Sequence, residues 1–137
     1  MSTQTLSIQG LNTRSQVKER LRALRGATTV ERDDAEAIVE ATSELLEAMM
    51  SHNGAAHEDL VSVIFTTTKD LSAEFPAAAA RRLGISTVPL LCAKEIDVPG
   101  AVERCVRVLM HLYTDRDHEL LRHVYLREAQ HLRTDLE

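Results

Sequence analysis

The chain has 137 residues, 44% of them hydrophobic and 27% charged, enough for one domain with a real core and too little for two. With only Phe65, Phe75, Tyr113 and Tyr125 aromatic and no Trp, the core must be aliphatic, and stacking platforms for single-stranded nucleic acid are nearly excluded. The net charge of −5 is uneven, with five cations against one acid in residues 1–30 and nine acids against one cation in residues 31–60, yet no stretch is basic enough for a nucleic-acid footprint.

Residues 1–20 are polar and are expected to form a mobile or weakly docked extension, leaving residues 21–137 as the folded domain. Ser15–Leu24 reads at best as a short helix of poor periodicity. Met1–Gly10 lacks the charged start and apolar centre of a secretory leader. The first strong element is a helix. Asp33 is its expected N-cap, with Glu36 three residues on in the manner of a capping box. Ile38, Val39, Thr42, Leu45, Leu46, Met49 and Met50 recur at helical spacing, Glu40, Glu44 and Glu47 take the other side, and Asn53-Gly54 ends it. Most of the acidic excess is therefore a solvated helix face.

Leu60–Thr67 is short and β-branched, as a buried strand would be. Pro76 opens a small Ala-rich helix over Ala77–Leu83, stopped by Gly84. Thr87–Cys92 reads as a second strand, although Pro89 fits it poorly. From Ala101 a short helical turn is expected to lead into a strand in which Val106, Val108, Met110 and Leu112 alternate with other residues. A helical piece from Asp117 and a last strand over His123–Leu126 complete the chain. Such an order implies an α+β domain, a mixed β-sheet with helices on one face. The uncovered face invites burial against copies of the same chain.

No apolar run approaches the roughly 18–20 residues that span a bilayer, so a soluble, cytoplasmic protein without membrane partners is expected. Cys92 and Cys105 form no CxxC pair, and the six histidines show no HxH or HExxH spacing, so neither a disulfide framework nor a metal site is expected. A Gly-rich phosphate loop, a paired-carboxylate pattern and a Ser-His-Asp order are likewise missing. What remain are polar residues set in apolar strand ends: Arg25, Glu95, Arg107 and Tyr125. Each has an ordinary reading as a surface arginine, a loop carboxylate or a core tyrosine. Arg107 departs furthest from it, because an unpaired cation among Val106, Val108, Leu109 and Met110 is costly.

Arg25-Gly26-Ala27-Thr28-Thr29-Val30-Glu31-Arg32-Asp33 resembles the opening of the monofunctional chorismate mutases of the Bacillus type. The likeness continues through Asp70-Leu71, Phe75-Pro76-Ala77, Arg81, Val88-Pro89, Cys92, Glu95-Ile96-Asp97-Val98 and Cys105-Val106-Arg107-Val108. It ends at Arg122-His123-Val124-Tyr125-Leu126 and Leu132-Arg133, so the motifs run in order through nearly all of the chain beyond the extension. The resemblance implies a homotrimer whose sheets form a pseudo-α/β-barrel core, with active sites at subunit interfaces. The implied reaction is the Claisen rearrangement of chorismate to prephenate, on the way to phenylalanine and tyrosine, with no cofactor or metal.

By the same resemblance Arg107 faces the substrate's ether oxygen, Arg25 and Tyr125 hold its carboxylates, and Arg81 and Arg133 add positive potential. Glu95 and Cys92 match positions at the ring hydroxyl, with backbone from Leu90, Leu91, Ala93 and Lys94 alongside. Phe75, Ala77 and Leu132 wall the pocket. Leu91 stands where Thr is common and Ala78 where Lys often follows Phe-Pro-Ala. The Gly84-Ile85-Ser86 turn is one residue short of the family pattern. These departures bear on affinity rather than reaction type. Two readings from other classes stand beside this one: a non-catalytic trimeric anion-binding protein of the same fold, and a purely structural interaction domain.

Overall fold

The computed structural model describes residues 19–136, with side chains as far as Leu132. The expected extension therefore falls mostly outside the described residues, as does the Arg133 side chain. Five strands form one mixed sheet: β1 (Arg20–Thr29), β2 (Leu60–Thr67), β3 (Leu90–Lys94), β4 (Cys105–Thr114) and β5 (Val124–Tyr125). Their spatial order is β3-β2-β4-β1-β5. The β4 strand is antiparallel to both neighbours, whereas the β2–β3 and β1–β5 pairs are parallel. Helices α1 (Ala35–His52) and α2 (Ala77–Arg82) cover one face.

Over Arg20–Leu24, strand β1 corrects the reading of Ser15–Leu24 as a short helix, whose residues 15–18 lie outside the described residues. Its Leu-Arg-Ala-Leu-Arg run has good helix formers, but β4 offers a partner for all ten residues, from Arg20 opposite Thr114 to Thr29 opposite Cys105. The cap of α1 also moves by one residue: Asp34 is the N-cap, its carboxylate accepting from Ala37 N at 3.0 Å. Asp33 instead receives the backbone N–H groups of Ser72 and Ala73, both at 2.9 Å, which lower its pKa. Glu36 pairs with Arg82 rather than completing a capping box.

The β3 strand starts at Leu90, three residues later than expected. Pro89 has no N–H for a ladder and contributes only its carbonyl, which accepts from Val63 N at 3.0 Å. Ala101–Arg104 is not helical. Arg104 takes a left-handed φ of 44°, and its N–H sits between both oxygens of Asp70 at 2.9 and 3.2 Å. The Thr68 hydroxyl donates to the same carboxylate at 2.5 Å and accepts from Cys105 N at 2.9 Å, so the start of β4 is pinned. Burial alone would raise the pKa of Asp70, but these donors outweigh it and the net shift is downward. The helical piece after Asp117 is a short 3₁₀ turn, His118–Leu120. A 3₁₀ segment over Arg127–Leu136, unassigned in the sequence, follows β5.

Alternation divides the sheet. Leu24, Val63, Phe65, Val108, Met110 and Leu112 point to the helices and bury against Leu45, Leu46 and Met49 of α1. Full burial of such side chains contributes about 1.5–3 kcal/mol each. Gly26 is required in this layer, because a Cβ there would lie 2.4 Å from Met49 Sδ and 3.2 Å from Leu45 Cδ1. The other face carries Arg25, Ala27, Thr66, Arg107 and Leu109. Its apolar members Leu91, Leu109 and Tyr113 remain exposed. Among the described residues its margin is covered where Ala129 and Leu132 of the C-terminal segment pack on the cluster of Ala27 and Cys105, as Tyr125 does.

Candidate active site

The sheet builds the site by register. Arg107 on β4 stands opposite Ala27 of β1 on one side and Thr66 of β2 on the other. Glu95 follows β3 and continues its parallel ladder, donating its N–H to Thr67 O at 2.8 Å. Its side chain thereby falls on the same face as Thr66, whose hydroxyl donates to Glu95 Oε2. On the far side β5 brings Tyr125 opposite Ala27. Arg25, two residues before Ala27, shares that face, and its backbone N–H donates to His123 Nδ1 at 2.9 Å. The result is a cavity of about 250 Å³ lined by Arg25, Thr66, Glu95, Arg107 and Tyr125, with Ile64 and Leu109 as its apolar side.

Charge within it is incompletely paired. Arg107 Nε lies 3.8 Å from Glu95 Oε2, too long for a hydrogen bond. That nitrogen is shut off from solvent and has no hydrogen-bond partner among the described residues. A buried N–H left unmet costs about 1–3 kcal/mol, more on a charged group, so among the described residues the guanidinium keeps a donor that has no acceptor. Beside it Cys105 is buried, which pushes its thiol pKa up despite the nearby cation, so it stays a neutral thiol. Burial first, and the Arg25 charge second, lower the pKa of His123 and keep its Nδ1 free to accept.

A second cavity, of about 340 Å³, opens at the β3 edge of the sheet. Phe75, Cys92, Ala93 and Lys94 line it, and Lys94 Nζ donates to Leu71 O at 2.7 Å. The residues expected to act together are thus split: Arg25, Glu95, Arg107 and Tyr125 share one cavity, while Cys92 and Phe75 share the other. Cys92 lies opposite Phe65, whose side chain turns to the helices, whereas Glu95, three residues on, turns to the other face with Thr66, and this separates the two. Leu90 is half-buried against the core, and Leu91 is exposed. Ala77, expected at the substrate, is buried in the core at the start of α2 and lines neither cavity, and Arg81 is exposed on the same helix. Leu132, like Tyr125, packs against the cluster of Ala27, Cys105 and Ala129 at the margin of the first cavity. Thr66, Ile64 and Leu109 were not anticipated. The alternation of β2 could have indicated Thr66, but its pairing with Arg107 could not be read locally.

Among the described residues no three His, Cys, Asp or Glu side chains come together as a metal site, and no helix is long and apolar enough to cross a membrane. The family model for chorismate mutase type I matches residues 21–136. The chain is 53% identical over 118 residues to the chorismate mutase AroH of Thermus thermophilus, covering 85% of this chain and 97% of that protein. It is 45% identical over 117 residues to AroH of Bacillus subtilis, covering 85% and 92%. A solved chorismate mutase from Clostridium thermocellum superposes with a TM-score of 0.79 at 50% identity, covering 80% of this chain and 97% of that one. With the family model spanning nearly all of the domain and relatives this similar over most of their length, the chain belongs to the type I chorismate mutases.

Proposed function

We propose that this protein is a chorismate mutase, converting chorismate to prephenate for aromatic amino acid synthesis in the cytoplasm. One observation carries the mechanism: the solvent-shielded Arg107 Nε that has no acceptor of its own and stops 3.8 Å short of Glu95. In the rearrangement the ether C–O bond breaks ahead of C–C bond formation, so negative charge gathers on the ether oxygen. The shift of electrons is internal to the substrate, and no proton or group passes to the protein. A guanidinium already fixed at that oxygen stabilises the charge as it develops, without having to reorganise.

Arg25 and Tyr125 take the two carboxylates of the dianion, Arg25 by charge and Tyr125 by its hydroxyl. Glu95 accepts from the ring hydroxyl. Together these contacts hold the less populated diaxial form with the reacting carbons close, which supplies the entropic part of the rate. Leu132, at the margin of the cavity, closes one side, and Arg133 adds positive potential.

The first cavity is open, and the other expected wall lies on a different part of the same chain. We read the active unit as a homotrimer in which the exposed apolar face around Leu91, Leu109 and Tyr113 is buried. In it the Phe75–Cys92–Lys94 cavity of one copy completes the Arg107 cavity of the next, and Arg81 adds positive potential at the seam. The test is direct: purified protein mixed with chorismate should deplete its ultraviolet absorbance, with prephenate verified by acid conversion to phenylpyruvate. Turnover no faster than the spontaneous rearrangement would overturn the reading.

A further inference from the structure

Glu95 is held at two points that belong to one strand. Its N–H donates to Thr67 O at 2.8 Å, and its Oε2 accepts the hydroxyl of Thr66. Thr66 in turn is the cross-strand partner of Arg107. The same oxygen, Oε2, is the one that approaches Arg107 Nε, and it stops at 3.8 Å. A carboxylate this close to a guanidinium ordinarily closes to about 2.7–2.9 Å. Here the oxygen facing the cation is already engaged by a neutral hydroxyl.

We infer that Thr66 is a positioning residue, whose hydroxyl anchors Glu95 Oε2 so that the carboxylate does not close onto Arg107 and withdraw it from the substrate. The inference depends on the chorismate mutase reading of the cavity and adds to it a residue that the reaction itself does not touch. The division of labour follows from geometry. Thr66 occupies Oε2, Oε1 remains for the substrate's ring hydroxyl, and the guanidinium keeps its unmet N–H for the ether oxygen. Without the hydroxyl, Glu95 and Arg107 would satisfy each other, and both would have to be parted in every turnover. Substrate binding through Arg25 and Tyr125 would change little, because both are carried by β1 and β5, on the other side of β4 from Thr66.

Thr66→Val removes the hydroxyl and keeps the side-chain shape, while Thr66→Ser keeps the hydroxyl and removes the methyl. Steady-state kinetics should show kcat about tenfold lower in T66V with KM within about twofold, and T66S within about twofold of the parent in both constants. In combination with Glu95→Gln, T66V should add little further loss, since its effect passes through that carboxylate. Parental kcat in T66V, a loss in T66S equal to that in T66V, or fully multiplicative losses in the double variant would each overturn the inference. Should T66V fail to fold, Thr66→Ala at this half-exposed position is read by the same criteria. An unsubstituted protein without turnover would instead overturn the function reading, and the inference with it, so the two failures are distinct.

Discussion

Arg107 Nε and Glu95 Oε2 face each other at 3.8 Å across β2, near enough to share an electrostatic field and too far to share a proton. The pair is half-shielded from water, and its cation has an N–H that nothing among the described residues accepts. A relaxed salt bridge would have closed, and on the chorismate mutase reading proposed above the gap leaves this arginine open to the substrate. Arg107→Ala should therefore lower kcat by about 10²-fold or more, the usual cost of losing a fixed donor to a developing oxyanion. Thermal stability should hold or rise slightly, because a cation with an unsatisfied buried nitrogen leaves the sheet. Paired kinetic and melting measurements check this, and a variant as active as its parent would remove Arg107 from the mechanism.

Gly26 lies between Arg25 and Ala27 in the strand that carries the site, and its Cα rests on α1. A Cβ there would come within 2.4 Å of Met49 Sδ, 3.0 Å of Met49 Cε and 3.2 Å of Leu45 Cδ1. Met49 is fully buried and has little room to retreat. Gly26→Ala should therefore cost about 1–3 kcal/mol by overpacking, and lift Arg25 from its place in the cavity. Denaturant unfolding measures the first effect and KM the second. Met49→Ala, a truncation that costs about 2–5 kcal/mol in a buried site, should cost less in Gly26→Ala than in the parent, since the new methyl enters the space that the thioether vacates.

These two sites differ in how far the sequence discloses them. Arg107 is visible as a cation inside an apolar strand, and α1 and β2 are visible because their hydrophobic periods are local. Strand β1 is hidden: Leu21 to Arg25 are good helix formers, and only ten pairings with β4, some eighty residues away, make them extended. The same non-local order, β3-β2-β4-β1-β5, decides which side chains share a cavity. Cys92 and Glu95 are three residues apart in sequence and look like neighbours. Being an odd number of residues apart near a strand end, they diverge, and Glu95 joins Thr66 and Arg107 instead. The requirement for glycine at position 26 comes from Met49 and is equally invisible along the chain.

His123 couples pH to the same strand. Its Nδ1 accepts the Arg25 N–H at 2.9 Å, which requires the neutral ring, and burial together with the Arg25 charge lowers its pKa from 6.5. The sign follows: the folded state resists a proton that the unfolded state takes up, so this contribution to stability is complete above about pH 6.5 and is lost as pH falls through the lower folded value. The ring is largely exposed, so the effect is small. Melting temperature should decline on acidification below about pH 6.5 in the parent, and less steeply in His123→Asn, which keeps an acceptor that does not titrate there. An identical slope in the two proteins would assign the decline to other groups.

The division of the expected site between two cavities leads to a test that needs no structure of the assembly. Arg107→Ala damages the cavity of Arg25, Glu95 and Tyr125, whereas Phe75→Asp places a negative charge in the cavity of Cys92 and Lys94, where a dianion must enter. Each variant alone should be nearly inactive. If every site joins the first cavity of one copy to the second cavity of its neighbour, co-refolded equal mixtures contain sites built from the two undamaged halves. Random association in a closed ring makes such sites about one quarter of the total, so activity should recover to about 25% of the parent's. The neighbouring sites in those mixed rings carry one or both lesions and contribute nothing. Were each copy to hold a complete site, no mixture could exceed the sum of the two variants. Sedimentation of the same samples reports whether three copies associate, separating a failure of assembly from a failure of shared catalysis.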